Sequence, residues 1–187
     1  MGKTRWRVGR LLLATAFATG SAMVGLTGTS AANAAVPAAS AASVAPQAYY
    51  YYEIRARHSG KCVDVTGASQ ANSAPVIQYR CHGGANQAWR FVAVQAGWYE
   101  LVVQHSGKCL DVTGASRANG TQIIQYTCHR GANQQWRLVQ IQRGWYELVA
   151  RHSGKCLDVA RESTADGARI IQYTCHRGRN QQFGFFG

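Results

Sequence analysis

The sequence predicts an all-β domain built from three four-stranded repeats. Three observations carry that expectation: a self-similarity at an offset of 47 residues, short apolar segments punctuated by Gly, Ser and Asn, and six cysteines in three identically spaced pairs. At that offset Cys62, Cys109 and Cys156 align without a gap, as do Cys81, Cys128 and Cys175. WYELVVQHSGKCLDV from Trp98 meets WYELVARHSGKCLDV from Trp145 and YYEIRARHSGKCVDV from Tyr51. The second and third copies share 28 of 43 aligned positions, far beyond chance, which sets the units at 51–97, 98–144 and 145–187.

Within a unit the apolar residues show no helical period, so each segment reads as a strand. In the second unit the strands fall at 98–104, 108–112, 121–127 and 135–142, joined by HSG, TGASRANG and CHRGAN turns. A unit this short cannot bury its own apolar face, and three copies can do so only by packing together about a common axis. Twelve strands in that arrangement make a β-trefoil with pseudo-threefold symmetry. A propeller is the second reading, but three blades fall short of the usual four to eight.

Symmetry also pairs the cysteines. Each unit carries one on its second strand and another 19 residues later, just after its third. Local pairing gives Cys62–Cys81, Cys109–Cys128 and Cys156–Cys175, each closing a loop worth roughly 3 kcal/mol in the chain-entropy model. No CxxC occurs, which argues against a redox role.

Ahead of the repeats, Lys3, Arg5, Arg7 and Arg10 precede an uncharged apolar run from Leu11, and Ala32 and Ala34 follow at a spacing suited to signal peptidase. Residues 1–34 are therefore expected to be a signal peptide, with a retained anchor as the alternative. Residues 35–50, rich in Ala, Ser and Pro, are expected to be a linker to the domain at 51–187. The expected product is secreted, which agrees with paired cysteines. Four of the 20 basic residues and none of the eight acidic ones lie in the first 34, so the net charge of +12 becomes +8. The remaining Lys and Arg are scattered, which favours a solvated basic surface over a nucleic-acid partner.

Among the polar positions that recur in every unit outside the HSGK turn, five stand out: Asp64, Asp111, Asp158; Tyr79, Tyr126, Tyr173; His82, His129, His176; Asn86, Asn133, Asn180; and Gln87, Gln134, Gln181. Strand alternation puts Asp111 opposite Leu110 and Val112, so the carboxylate is expected to face outward. The disulfide ties that strand to the segment bearing Tyr126, His129 and Asn133. A carboxylate, an amide, an imidazole and an aromatic ring together suit a pyranose, whose hydroxyl pairs can be bonded in opposite senses while its C–H face lies on the ring.

These residues carry a resemblance. CLDV, IIQY, CH and NQQW, with QxW recurring as QAW at 87–89, QQW at 134–136 and QQF at 181–183, resemble the signature of the ricin B-type lectins over all of 51–187. The resemblance implies a β-trefoil with one shallow sugar pocket per repeat: Asp64, Tyr79, His82, Asn86 and Gln87; Asp111, Tyr126, His129, Asn133 and Gln134; Asp158, Tyr173, His176, Asn180 and Gln181. Asp and Asn would hold sugar hydroxyls, Tyr would stack, and Gln would support the Asp and its loop. It implies galactosides, xylan or glycan-bearing surfaces as partners. Neither a cofactor nor a metal is expected, nor a second membrane-spanning run, and the chain is expected to be a monomer.

In the third unit Phe183 replaces the Trp, and ARES replaces TGAS after the pocket strand, so a weaker or differently selective third pocket is expected. Trp89, Trp98, Trp136 and Trp145 read as packing residues, and His58, His105 and His152 as turn residues. An enzyme is disfavoured, because glycoside cleavage needs two carboxyl groups about 5–10 Å apart. Each unit repeats only one acid at a pocket position; Glu53, Glu100 and Glu147 sit on the first strand. Binding of anionic glycans and protease inhibition are the rival trefoil functions.

Overall fold

The computed structural model describes residues 50–187. The signal peptide expected at 1–34 and all but the last residue of the expected linker lie outside the described residues. The first repeat supplies β1 (Tyr52–Ala56), β2 (Cys62–Val65), β3 (Val76–Tyr79) and β4 (Ala88–Gln95). The second supplies β5 (Trp98–Val103), β6 (Cys109–Val112), β7 (Thr121–Tyr126) and β8 (Gln135–Gln142). The third supplies β9 (Trp145–Ala150), β10 (Cys156–Val159), β11 (Ile170–Tyr173) and β12 (Phe183–Phe186). Among the described residues no helix is long and apolar enough to cross a membrane.

First and fourth strands form the barrel. Antiparallel pairing runs β1–β4–β5–β8–β9–β12 and returns to β1, closing a six-stranded ring with no free edge. Second and third strands form the hairpins β2–β3, β6–β7 and β10–β11. The hairpins meet one another through β7–β11 and through single bridges from Pro75 to Ile124 and from Ile77 to Arg169. This is the β-trefoil expected from the repeat. β3 and β11 are each two residues shorter than β7.

The core draws equivalent side chains from each repeat, including Val63, Leu110 and Leu157 from the hairpins and Ile54, Leu101 and Leu148 from the barrel. Trp89, Trp136 and Phe183 are its largest members and are fully buried. The two indoles also tie barrel to hairpin, with Nε1 donating to the Val63 carbonyl at 3.0 Å and the Leu110 carbonyl at 3.1 Å. Phe183 takes the equivalent buried place with a smaller ring and has no N–H to donate. Trp98 and Trp145 are half-buried beneath guanidinium groups, Arg137 at 5.3 Å from the Trp98 ring and Arg57 at 5.5 Å from that of Trp145.

Cys62–Cys81, Cys109–Cys128 and Cys156–Cys175 are bonded, with Cα–Cα separations of 5.1 Å. Each bond fastens the start of a hairpin to the segment that leaves it. That segment carries the recurrent His and Asn, so the disulfide holds both walls of the cleft described next.

Candidate functional site: three equivalent clefts

In the second repeat β6 delivers Asp111, β7 ends on Tyr126, and the chain then returns over the hairpin through His129 and a short 3₁₀ turn, Ala132–Gln134. Three donors converge on one carboxylate oxygen. Asn133 Nδ2 donates to Asp111 Oδ2 at 3.0 Å, Gln134 Nε2 donates to it at 2.8 Å, and His129 Nε2 lies 3.5 Å away. The corresponding distances are 3.0, 2.7 and 3.3 Å at Asp64, and 3.1, 2.8 and 3.4 Å at Asp158.

The other oxygen has no such partners. Among the described residues Oδ1 of these aspartates accepts no hydrogen bond, yet it is absent from the buried polar atoms that lack a partner. The small exposed area of each aspartate therefore opens into a cleft. Asp64, Ile77, Tyr79, His82 and Asn86 line the first, with a volume of about 420 Å³. Asp111, Ile124, Tyr126, His129 and Asn133 line the second, about 370 Å³, and Asp158, Ile171, Tyr173, His176 and Asn180 the third, about 360 Å³.

The imidazole tautomer follows from its neighbours. The Gly131 N–H donates to His129 Nδ1 at 3.1 Å, so in the neutral ring the proton sits on Nε2 and faces the carboxylate. Gly84 and Gly178 do the same for His82 and His176. Burial pushes all three carboxyls above the ordinary carboxylate value, and the hydrogen bonds from Gln, His and Asn only partly offset it. Holding the ionised form costs the fold free energy, which is a reason to look for function at these positions.

Two expectations need correction. The alternation places Asp111 on the side away from the core, but the carboxylate does not face open solvent: Asp64, Asp111 and Asp158 are each only 3% exposed. The returning His-to-Gln segment lies over that side of the hairpin and covers it. The asparagine amide is also not free to donate to a sugar. Its Nδ2 bonds the aspartate and, at 3.2–3.3 Å, the carbonyl of Val65, Val112 or Val159. What Asn86, Asn133 and Asn180 could offer a ligand is Oδ1, and in the third repeat that atom is buried without a partner.

Gln87, Gln134 and Gln181 are fully buried and brace the site from behind. Gln134 accepts the His129 N–H at 2.9 Å while its amide donates to Asp111 and to the Thr127 carbonyl at 3.0 Å. Tyr126 and Tyr173 are exposed, and each stands edge-on to its histidine with ring centroids 6.1–6.2 Å apart, giving the cleft an aromatic wall. Tyr79 is more covered: Arg80 lies 5.3 Å from its ring centre and donates to its hydroxyl at 3.2 Å.

Sequence reasoning missed residues that build the clefts from outside. His58, His105 and His152 do more than turn the chain. Their Nε2 atoms bond the carbonyls of Ser163, Ser69 and Ser116 at 2.9 Å, each in the pocket loop of the preceding repeat, with the first repeat closing on the third. Fully buried Gln78, Gln125 and Gln172 grip the same loops; Gln125 Nε2 donates to the Ser69 and Ala71 carbonyls at 2.6 and 2.8 Å. The signal was present in the sequence as a polar residue recurring inside the apolar IIQY strand. Gly84, Gly131 and Gly178 are required for space, since a Cβ at Gly131 would lie 2.4 Å from His129 Cε1 and 2.6 Å from Asn133 Oδ1.

The fold is a β-trefoil that repeats one cleft three times. The model of the ricin-type β-trefoil lectin domain matches residues 50–183, and the chain belongs to that family. Among solved structures it is similar to ThreeFoil, a designed threefold-symmetric protein, with 54% identity, 73% of this chain and 98% of that one covered, and a TM-score of 0.72. It is also similar to 1,3Gal43A, an exo-β-1,3-galactanase from Clostridium thermocellum, with 36% identity and a TM-score of 0.72; the match covers 75% of this chain and 30% of that one. A ricin B-like lectin from Macrolepiota procera, solved in complex with lactose, shares the fold at 20% identity, 75% and 96% coverage, and a TM-score of 0.64. A search of curated proteins finds no match.

Proposed function

We propose that this chain is a secreted, non-enzymatic lectin that binds galactose-type or xylan-type sugars at three shallow clefts, one per repeat. The observation that carries the proposal is the oriented carboxylate: three donors hold Oδ2 and leave Oδ1 to accept a sugar hydroxyl, beside a tyrosine on which C–H groups can lie. Similarity to part of a galactanase supports a galactose-type polymer as ligand. In this reading residues 1–34 direct export, 35–50 are a linker, and the domain acts as a monomer.

Binding without catalysis fits the placement of the second recurrent acid. Glu100 is 5% exposed, accepts the Arg130 N–H at 3.1 Å and does not line the second cleft. A monosaccharide of about 12 heavy atoms at roughly 0.3 kcal/mol per atom gives about 4 kcal/mol, near millimolar affinity for one cleft. Three clefts on one rigid body gain roughly 10²-fold or more on a polymer, so polysaccharides and glycan-dense surfaces are the targets.

The test is affinity chromatography on galactose-agarose and on xylan. Retention that survives roughly 0.5 M NaCl is expected for neutral sugars. Passage through both resins at low salt would overturn the proposal and turn attention to protease inhibition.

A further inference from the structure

The three clefts share their floor but not their rim. After β2 and β6 the chain makes a 3₁₀ turn through Gly67 at φ 60° and Gly114 at φ 59°, and both glycines line their clefts. In the third repeat the equivalent residue is Arg161, held at φ 59° in the left-handed region that favours glycine. A second guanidinium joins it. Arg169 stands where the other repeats have Pro75 and Gln122, and it too lines the third cleft.

Arg169 is positioned by the neighbouring repeat. Its Nε donates to Gln122 Oε1 at 2.6 Å, and Gln122 is itself anchored through Nε2 to the carbonyls of Val76, Ile123 and Ile170 at 2.8–3.0 Å. The remaining guanidinium nitrogens stay open for a ligand. Among the described residues neither Arg161 nor Arg169 takes part in an ion pair. Glu162 and Asp158 are the acids of this cleft, so its two cations balance them, whereas the first and second clefts each carry an aspartate with no cation against it. No Arg or Lys lines the first or second cleft.

We infer that the third cleft is selective for an anionic sugar, one carrying a carboxylate or a sulfate ester, whereas the first two take neutral sugars. The inference rests on the proposed lectin function and divides its three sites into two kinds. Asp158 Oδ1 and Tyr173 would seat the ring as in the other repeats, and the paired guanidinium forks of Arg161 and Arg169 would receive the anionic substituent. One polymer bearing both neutral and acidic residues could then engage all three clefts.

The experiment is a titration of the ¹⁵N-labelled full chain, reading the side-chain amides of Asn86, Asn133 and Asn180 as separate reporters of the three clefts. Galactose, galacturonate and galactose 6-sulfate are the probes; the two acids distinguish carboxylate from sulfate recognition. At low salt one or both acids should bind at the Asn180 cleft about three- to tenfold more tightly than galactose, the gain expected of exposed ion pairs. No such preference should appear at Asn86 or Asn133. The preference should vanish in the double variant Arg161→Gly, Arg169→Gln, which installs the residues of the second repeat, and in roughly 0.5 M NaCl. An equal acid-to-neutral ratio at all three reporters, or a preference that survives the double variant, would overturn the inference while leaving the lectin reading intact. Silence of all three reporters toward every probe would overturn both.

Discussion

Replacing Asp111 by Asn separates what the carboxylate does for binding from what it does for the fold. Oδ2 receives Asn133 at 3.0 Å and Gln134 at 2.8 Å, with His129 Nε2 at 3.5 Å, so all the surrounding groups are donors. The new amide must present its oxygen to them, which turns its NH₂ toward the cleft where Oδ1 had accepted. A charge-assisted acceptor becomes a neutral donor at the Asp111 atom that faces the cleft. Such a bond contributes about 1.5–3 kcal/mol, so affinity at the second cleft should fall roughly 10- to 100-fold.

Stability should respond in the opposite sense. Burial raises the Asp111 pKa in the fold above its ordinary 3.8, so the ionised carboxylate lowers stability at neutral pH and a neutral isostere relieves that cost. The melting temperature of Asp111→Asn should stay within roughly 5 °C of the parent, equivalent to about 1 kcal/mol, or rise. Calorimetry and a galactose and xylose titration read at the Asn133 side chain check both halves. A drop of more than about 10 °C with unchanged affinity would refute the reasoning, because the aspartate would then be structural.

Acidification should weaken sugar binding as pH falls through the raised pKa of the three aspartates, beginning above the ordinary carboxylate range, while the same protonation adds stability; column retention and melting scans from pH 7 to pH 4 read the two trends. Gly131→Ala should disable the second cleft alone, since its Cβ would meet His129 Cε1 at 2.4 Å, and should cost about 1–3 kcal/mol in denaturant unfolding. Gln125→Ala should cost about 2–4 kcal/mol by stripping the Ser69 and Ala71 carbonyls of their donor; because those carbonyls lie in the first repeat, the reporter that moves most should be Asn86 and not Asn133.

Much of the architecture was legible because duplication writes each constraint three times. Strands expected at 98–104, 108–112, 121–127 and 135–142 differ from β5–β8 by a residue at most at each boundary, and the symmetric cysteine pairing is the one formed. The recurrent Asp, Tyr, His, Asn and Gln do come together, since a hairpin bonded by a disulfide brings its two strands and its exit segment within reach. Alternation identified the side of β6 on which Asp111 lies but not the segment that returns to cover it. It also could not show that Asn133 spends both amide hydrogens on Asp111 and Val112, because that depends on the Ala132–Gln134 turn. The recurrence of Gln125 inside an apolar strand marked it as special, but the partners of His105 and Gln125, Ser69 and Ala71, were unreadable because they lie in a different repeat, and contacts between repeats leave no spacing rule in the chain.

The central claim is that the repeated Asp clefts are sugar sites. A glycan array comparing the protein with the triple variant Asp64→Asn, Asp111→Asn, Asp158→Asn tests it most directly. The account predicts binding to galactose- or xylose-bearing glycans by the parent and its loss in a variant that still melts cooperatively. Equal binding by both proteins, or no glycan bound by the parent, would contradict it.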